Sequence, residues 1–319
     1  MLHLMKSEEV DFLIIGSGAA GMAAALRAHD LGLHTVIVEK SEHFGGSTAM
    51  SGGVCWLPNN PNMKLPDSDA EALTYLQSIT GDEGDTAALE AYIQQSQRMH
   101  AYVTQNSHLR FDPIDKYSDY YPESPGGKAG GRSSESRPFD GSRLGAEFKR
   151  LRLPHPQSQI LGKFGISAEQ AHTLLTGGWR GTVFMAWLFL RYLLRFFKRR
   201  RFGRDTFLYA GNALAGRLRL SLLDRGLELR YGQGLKSLII EQGRVLGACI
   251  EGPDGLYEIH AKNGVLLAAG GFARNAAMRS QYGPQPSSSE WSAASPYSQG
   301  EGIQAGAQVG GALALMDEA

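Results

Sequence analysis

The chain has 319 residues, with 32 basic and 32 acidic side chains, 42% hydrophobic residues, 40 glycines and two cysteines. That balance excludes a disordered chain and gives no electrostatic ground for nucleic acid as a partner. Two cysteines far apart, Cys55 and Cys249, exclude a disulfide framework and a four-ligand zinc site and fit a reducing compartment; the scattered histidines point to no metal.

The N-terminus, MLHLMKSEEVDFLIIG, places acidic residues where an export signal would place its apolar stretch. A cytoplasmic location is therefore expected. Residues 10–16, VDFLIIG, form a nearly continuous apolar run, as in a strand buried on both faces of a parallel sheet. Gly16, Gly18 and Gly21 follow at once as G-x-G-x-x-G, opening an Ala/Leu-rich helix that leads to a second apolar strand ending on Glu39. This reads as a complete β-α-β unit. The fingerprint alone is weak, but strand before, helix after and an acid 18 positions beyond Gly21 make it specific. Gly16 permits the tight turn, Gly18 lets a pyrophosphate approach the backbone beside Ser17 and Ala20, Gly21 lets the helix pack closely, and Glu39 is expected to hold a ribose hydroxyl. The competing reading is a Rossmann unit with no ligand.

The segment after Glu39 favours flavin over nicotinamide. It places Lys40, Gly45, Gly46, Ser47, Thr48, Ser51, Gly52 and Gly53 in close succession, and glycines interleaved with hydroxyls let backbone amides reach phosphate and a flat ring. The alternative is a pair of structural turns. From residue 67 to about 107 the apolar spacing is helical. Residues 122–143, rich in Pro, Gly and Ser, read as one long surface or site loop. Residues 213–226 read as a helix and ELRYG as a short strand. Residues 235–261 read as a three-stranded meander leading to VLLAAGG, residues 265–271, a buried strand ending on paired glycines.

Residues 180–204 carry eight Arg or Lys and no acid. The apolar run from Thr182 to Leu190 is far below the ~20 residues that span a bilayer. Trp187, Phe189, Tyr192, Phe196 and Phe197 beside Lys198 to Arg201 suit an amphipathic helix lying on an anionic membrane surface, peripheral to its inner face. A buried helix with a solvated basic end is the other reading.

The stretches GSGAAG, EKSEHFGGSTAMSGG, DYYPE, GRSSESRPFDGSRLG and VLLAAGGFARN together resemble the FAD-dependent oxidoreductase 2 family that contains the fumarate reductase flavoprotein subunits, and within it the 3-ketosteroid Δ1-dehydrogenases. The resemblance covers nearly the whole chain; DYYPE and the GRS-to-PFD stretch are its more specific marks. It implies an α/β fold: a Rossmann-type, glutathione-reductase-like FAD-binding domain over residues 1–305, with the β-meander and a 122–205 insertion. Residues 306–319 would begin a substrate domain that is largely missing, so the chain is expected to be the front part of a longer protein. FAD is expected to be non-covalent, because GGSTAMSGG has no histidine for attachment. Leu235, Ala269, Gly270, Gly271, Asn275, Gly300 and Glu301 are implied as further cofactor neighbours. The implied reaction is 1,2-desaturation of a 3-ketosteroid, with proton loss from C2 and hydride transfer from C1 to flavin N5, the electron acceptor being left open. Tyr120, the first tyrosine of DYYPE, matches the tyrosine that assists the catalytic base; the base tyrosine and the carbonyl-binding groups match positions beyond Ala319. The rival readings are a Δ4-ketosteroid dehydrogenase or fumarate-reductase-like enzyme, and a catalytically incomplete FAD-binding fragment.

Overall fold

A computed structural model describes residues 6–318, which divide into two compact units. The first comprises the residues up to Ser51, Leu144–His155 and the chain from Leu218 onward. Its centre is a four-stranded parallel sheet in the order Val265–Leu267, Phe12–Ile15, Thr35–Glu39, Glu228–Tyr231. Leu13, Ile14, Val36, Ile37 and Val38 have no exposed surface, which is why these strands read as unbroken apolar runs. The helix Ala19–Asp30 buries Met22, Ala25 and Leu26, and its last turn carries Arg27 and His29 at the negative end of the helix dipole.

The meander is present as Gly234–Glu241, Arg244–Gly252 and Gly255–Ala261, paired antiparallel. A fourth strand, Ser7–Val10, lies parallel to Gly255–Ala261. The apolar run 10–16 therefore does not form one strand: Asp11 parts it, so that its two sides belong to different sheets. The Asp11 N–H donates to the His34 carbonyl and the Asp11 carboxylate accepts from the His34 N–H, both at 2.9 Å, which fixes the break. Val10, Leu13, Ile15, Val36 and Val38 then pack with Ala248, Ile250, Ile259 and Ala261 in one core. Each full aliphatic burial there contributes roughly 1.5–3 kcal/mol.

The second unit comprises Gly52–Arg143 and Pro156–Arg217. The helical stretch expected from 67 to 107 is two helices, Asp69–Thr80 and Thr86–Asn106, each opened by a side-chain cap from Ser68 or Asp85 and separated by a turn with Gly81 at φ +56°. The single loop expected over 122–143 is corrected. Ser133–Ser136 is a fully buried strand between Val54–Trp56 and Phe111–Pro113, and Phe139–Asp140 pairs with Phe207–Leu208. Serines and a glutamate hid that strand because they have the composition of a loop; Glu135, its carboxyl pushed up by burial, accepts from the Ala168 N–H at 2.9 Å. The helix expected over 213–226 runs Ala210–Asp224.

Candidate cofactor site

The glycine loop lies where strand and helix meet. Gly16 has φ +106°, and a Cβ there would stand 2.5 Å from the Ala268 carbonyl oxygen; a Cβ on Gly21 would stand 2.0 Å from that of Gly16. These two positions serve close packing of loop, sheet and helix. Gly18 precedes the helix without a capping side chain, and the Ala19 N–H donates to Thr48 Oγ1 at 3.1 Å. The positive helix end is thereby held next to the second glycine segment.

Glu39, buried at the end of its strand, is the organiser of this corner. Its Oε2 accepts from the Ser17 N–H at 3.1 Å and the Ser17 hydroxyl at 2.6 Å, and its Oε1 from the Ser41 N–H at 3.0 Å. Arg152 donates to Ser41 Oγ at 2.6 Å and lies 5.0 Å over the Tyr297 ring. Burial pulls its guanidinium pKa down, opposed by the charge of Glu39. Lys40 is ion-paired with Glu301 across 261 residues of sequence. Ser47 is bonded to the Ser298 hydroxyl and accepts from the Ser295 N–H, both at 3.0 Å.

Around these residues is a cavity of about 450 Å³. Of the residues expected from sequence, Gly16, Ser17, Gly18, Ala20, Glu39 and Lys40 line it from the first β-α-β unit. Gly46, Ser47 and Thr48 line it from the second glycine segment, and Leu235, Ala269, Gly270, Gly271 and Glu301 from the meander and the last strand. Others lie behind the wall. Gly45, at φ +103°, donates its N–H to the Ser17 carbonyl at 3.1 Å, and the Ser51 hydroxyl donates to the Thr48 carbonyl. Asn275 caps the helix Ala276–Tyr282 and donates to the Gln299 carbonyl at 2.8 Å. Gly300, at φ +82°, packs against Met278, where a Cβ would stand 2.6 Å from the sulfur. Gly52 and Gly53 belong to the second unit, where a Gly53 Cβ would stand 2.4 Å from the Ala210 backbone. Sequence reasoning missed Arg152, Gln233, Ser295, Tyr297 and Ser298; they reach the corner from distant segments, and no local spacing signals them.

The lining suits a dinucleotide. Carboxylate, hydroxyls and backbone amides alternate along it, and Glu301 Oε2 is buried without a hydrogen-bond partner, an acceptor that a ligand hydroxyl would satisfy.

In the second unit, Tyr120 and Tyr121 stand on an exposed loop, with 83% and 54% of their surface accessible. Burial pushes the Tyr117 hydroxyl up, and its hydrogen bond and charge interaction with Tyr120 push it further. The basic segment forms two helices, Trp179–Leu194 and Phe196–Phe202, broken at Arg195. One side is packed: Leu188 is buried, Phe189 and Tyr192 contact Phe164, and Arg195 and Lys198 pair with Asp140. The other side exposes Trp179, Leu190, Leu194 and Phe197 with Arg180, Arg200 and Arg201. Among the described residues no helix is long and apolar enough to cross a membrane.

The parallel sheet, glycine loop and terminal acid define a Rossmann-type dinucleotide-binding protein. The chain belongs to the FAD binding domain family, whose model matches residues 11–319, and its cofactor is accordingly FAD. It is 37% identical over 335 aligned residues to a 3-oxosteroid 1-dehydrogenase of Mycolicibacterium smegmatis, spanning 100% of this chain and 56% of the relative. A 3-oxosteroid 1-dehydrogenase of Comamonas testosteroni is 33% identical over 287 residues, 88% of this chain and 50% of that one. The crystal structure of 3-ketosteroid delta1-dehydrogenase from Sterolibacterium denitrificans, in complex with 1,4-androstadiene-3,17-dione, matches with a TM-score of 0.90 and 38% identity, over 97% of this chain and 56% of that one. The chain thus spans about half the length of the curated relatives it matches.

Proposed function

We propose that this chain is the flavin-holding part of an oxidoreductase that introduces the C1–C2 double bond into 3-ketosteroids. The similarity that carries this reading is the match to the Sterolibacterium denitrificans enzyme, 38% identical across nearly all of the chain. The exposed tyrosine loop supports the same reading, because a 3-ketosteroid offers no carboxylate and is met by phenols rather than arginines.

The desaturation removes a proton from C2, acidified by the C3 carbonyl, and a hydride from C1. FAD, non-covalently bound, supplies the hydride acceptor. Glu39, Ser17 and the Gly16–Gly18 backbone hold the dinucleotide end, and Ser47, Thr48, Gly270 and Gly271 line the rest of its bed. Tyr120 assists the base: its hydroxyl donates a hydrogen bond to the phenolate that takes the C2 proton, lowering a phenol from its ordinary pKa of about 10 toward working pH.

The exposed side of the two basic helices contacts an anionic membrane surface from the cytoplasmic side, its apolar residues entering the interface and Arg180, Arg200 and Arg201 facing headgroups. A sterol substrate partitions into lipid, so this contact brings the site to its source.

The reading is tested by anaerobic flavin bleaching, measured on this chain joined to the C-terminal region of the Mycolicibacterium smegmatis relative. A 3-ketosteroid saturated between C1 and C2 is expected to bleach the flavin and fumarate to leave reduced flavin unoxidised. A fully FAD-loaded protein that no such steroid bleaches would overturn it.

A further inference from the structure

The tyrosine loop is fastened from beneath by a buried charge cluster. Arg132 has no exposed surface, yet it is a guanidinium. Its Nε and Nη2 donate to the two carboxylate oxygens of Asp67 at 2.9 and 2.7 Å, and its Nη1 donates to Asp119 Oδ2 and to the Gly126 carbonyl, both at 2.9 Å. The rings of Trp56 and Tyr75 lie 5.5 and 5.6 Å from it. Asp119 accepts in addition from Trp56 Nε1 at 2.7 Å and from the Lys128 N–H at 2.9 Å, while its own N–H donates to the Lys128 carbonyl at 3.0 Å. The chain from Asp119 to Lys128 is therefore a closed loop whose base is Asp119 and whose far limb is held by Arg132. Tyr120 and Tyr121 are the two residues after that base, and the Tyr121 N–H donates to the Tyr75 hydroxyl at 3.3 Å. Gly126, at φ +76°, presses on the helix Asp69–Thr80, where a Cβ would stand 2.4 Å from the Glu71 carbonyl oxygen.

Burying these charges is a costly way to fill space. Desolvation costs several kcal/mol per ion, and apolar residues of similar volume are often as stabilising or more so. What a guanidinium adds is direction: a bidentate grip on Asp67 leaves Nη1 aimed at Asp119 and Gly126 only. We propose that Arg132 and Asp119 are positioning residues that hold Tyr120 in one orientation toward the substrate. This rests on the reading that Tyr120 meets the steroid. None of the cluster's residues lines the FAD cavity, so its loss is expected to change the tyrosine loop and leave cofactor binding as it is.

The test places 3-fluorotyrosine at position 120 of the purified FAD-loaded chain and follows its ¹⁹F resonance, together with chymotryptic cleavage of the unlabelled chain after Tyr120. The unmodified cluster is expected to give one sharp resonance. Asp119→Asn keeps an acceptor for Trp56 but drops the charge that Arg132 grips. It should broaden or split the signal and speed cleavage by at least about tenfold, since cleavage follows the open population, with FAD content unchanged. Arg132→Lys, which keeps the charge and loses the fork, should fall between the two. If Arg132→Lys does not fold, Asp119→Asn alone decides. A sharp, unshifted resonance and a cleavage rate within about twofold of the parent in the folded variants would overturn the proposal. Addition of a 3-ketosteroid to the labelled chain joined to the C-terminal region of the Mycolicibacterium smegmatis relative separates the two layers: a resonance that the variants disturb but the steroid never shifts removes Tyr120 from the substrate site and leaves the fastening standing.

Discussion

Ser17 and Glu39 are joined twice, the Glu39 carboxylate accepting the Ser17 N–H at 3.1 Å and its hydroxyl at 2.6 Å, so the acid at the end of the second strand clamps the glycine loop. A carboxylate accepts more bonds than these, and Glu39 is among the residues that line the cavity. Glu39→Gln replaces one of its two acceptor oxygens by a donor amide. FAD affinity should fall at least about tenfold, about 1.4 kcal/mol, with Ser17→Ala giving a smaller loss; flavin fluorescence titration reads both. Equal affinity in Glu39→Gln and the parent would take the carboxylate out of cofactor binding.

Two glycines of the same site should separate packing from ligand approach. At Gly21 an added methyl meets the Gly16 carbonyl oxygen at 2.0 Å, whereas at Gly271 it meets nothing within 4 Å. Gly21→Ala should lower the unfolding midpoint of the apoprotein, overpacking of this kind costing about 1–3 kcal/mol. Gly271→Ala should leave that midpoint unchanged and weaken FAD. Identical behaviour of the two variants in apoprotein melts and FAD titration would contradict the distinction.

Much of this site was legible because the fingerprint is local: Gly16, Gly18, Gly21 and Glu39 fall within one β-α-β unit whose strands are covered on both faces. The meander was legible from its turns. Ser7–Val10 was not, because one polar residue, Asp11, parts a run that looks continuous. Ser133–Ser136 was not, because a buried strand of serines has the composition of a loop and is betrayed only by its partners on both sides. The pairs Lys40–Glu301 and Arg152–Ser41 join residues with no common local pattern. The basic helices showed their charge and apolar content, but the break at Arg195 and the sidedness of Leu188 against Leu194 depend on packing.

Acid should loosen the second unit through Asp67 and Asp140. Burial pushes the Asp67 carboxyl up, but Arg132 together with the Asn59 and Ser68 N–H groups outweighs it and the net value lies below the ordinary one; Asp140 is likewise drawn down by Lys198, Ser142 and Arg195 against its burial. A carboxylate depressed in the folded state contributes stability that is complete above its unfolded value, about pH 4, and is lost as pH falls through the folded one. Urea midpoints should therefore fall below about pH 4. In Asp67→Asn, which leaves the buried Arg132 with Asp119 alone, the fall should be shallower and the neutral-pH stability lower by about 3 kcal/mol. An unchanged pH slope in that variant would contradict the assignment.

Membrane contact should depend on the exposed side of the basic helices. Replacing Leu194 and Phe197, 75% and 82% exposed, by Asp removes apolar area and adds like charge to the lipid. Flotation with vesicles containing anionic lipid should capture the parent and not the double variant, and raised salt should weaken the capture. Equal flotation of both proteins, or none of the parent, would remove the membrane from the account.

The most direct measurement is of the flavin itself. The chain purified without added cofactor, or reconstituted with FAD, is precipitated with acid and the flavin counted in supernatant and pellet. Stoichiometric FAD, all of it released to the supernatant and most of it missing from Glu39→Gln, is the predicted result. A chain that retains no flavin, or one whose flavin stays in the pellet, would contradict a non-covalent FAD site organised by Glu39.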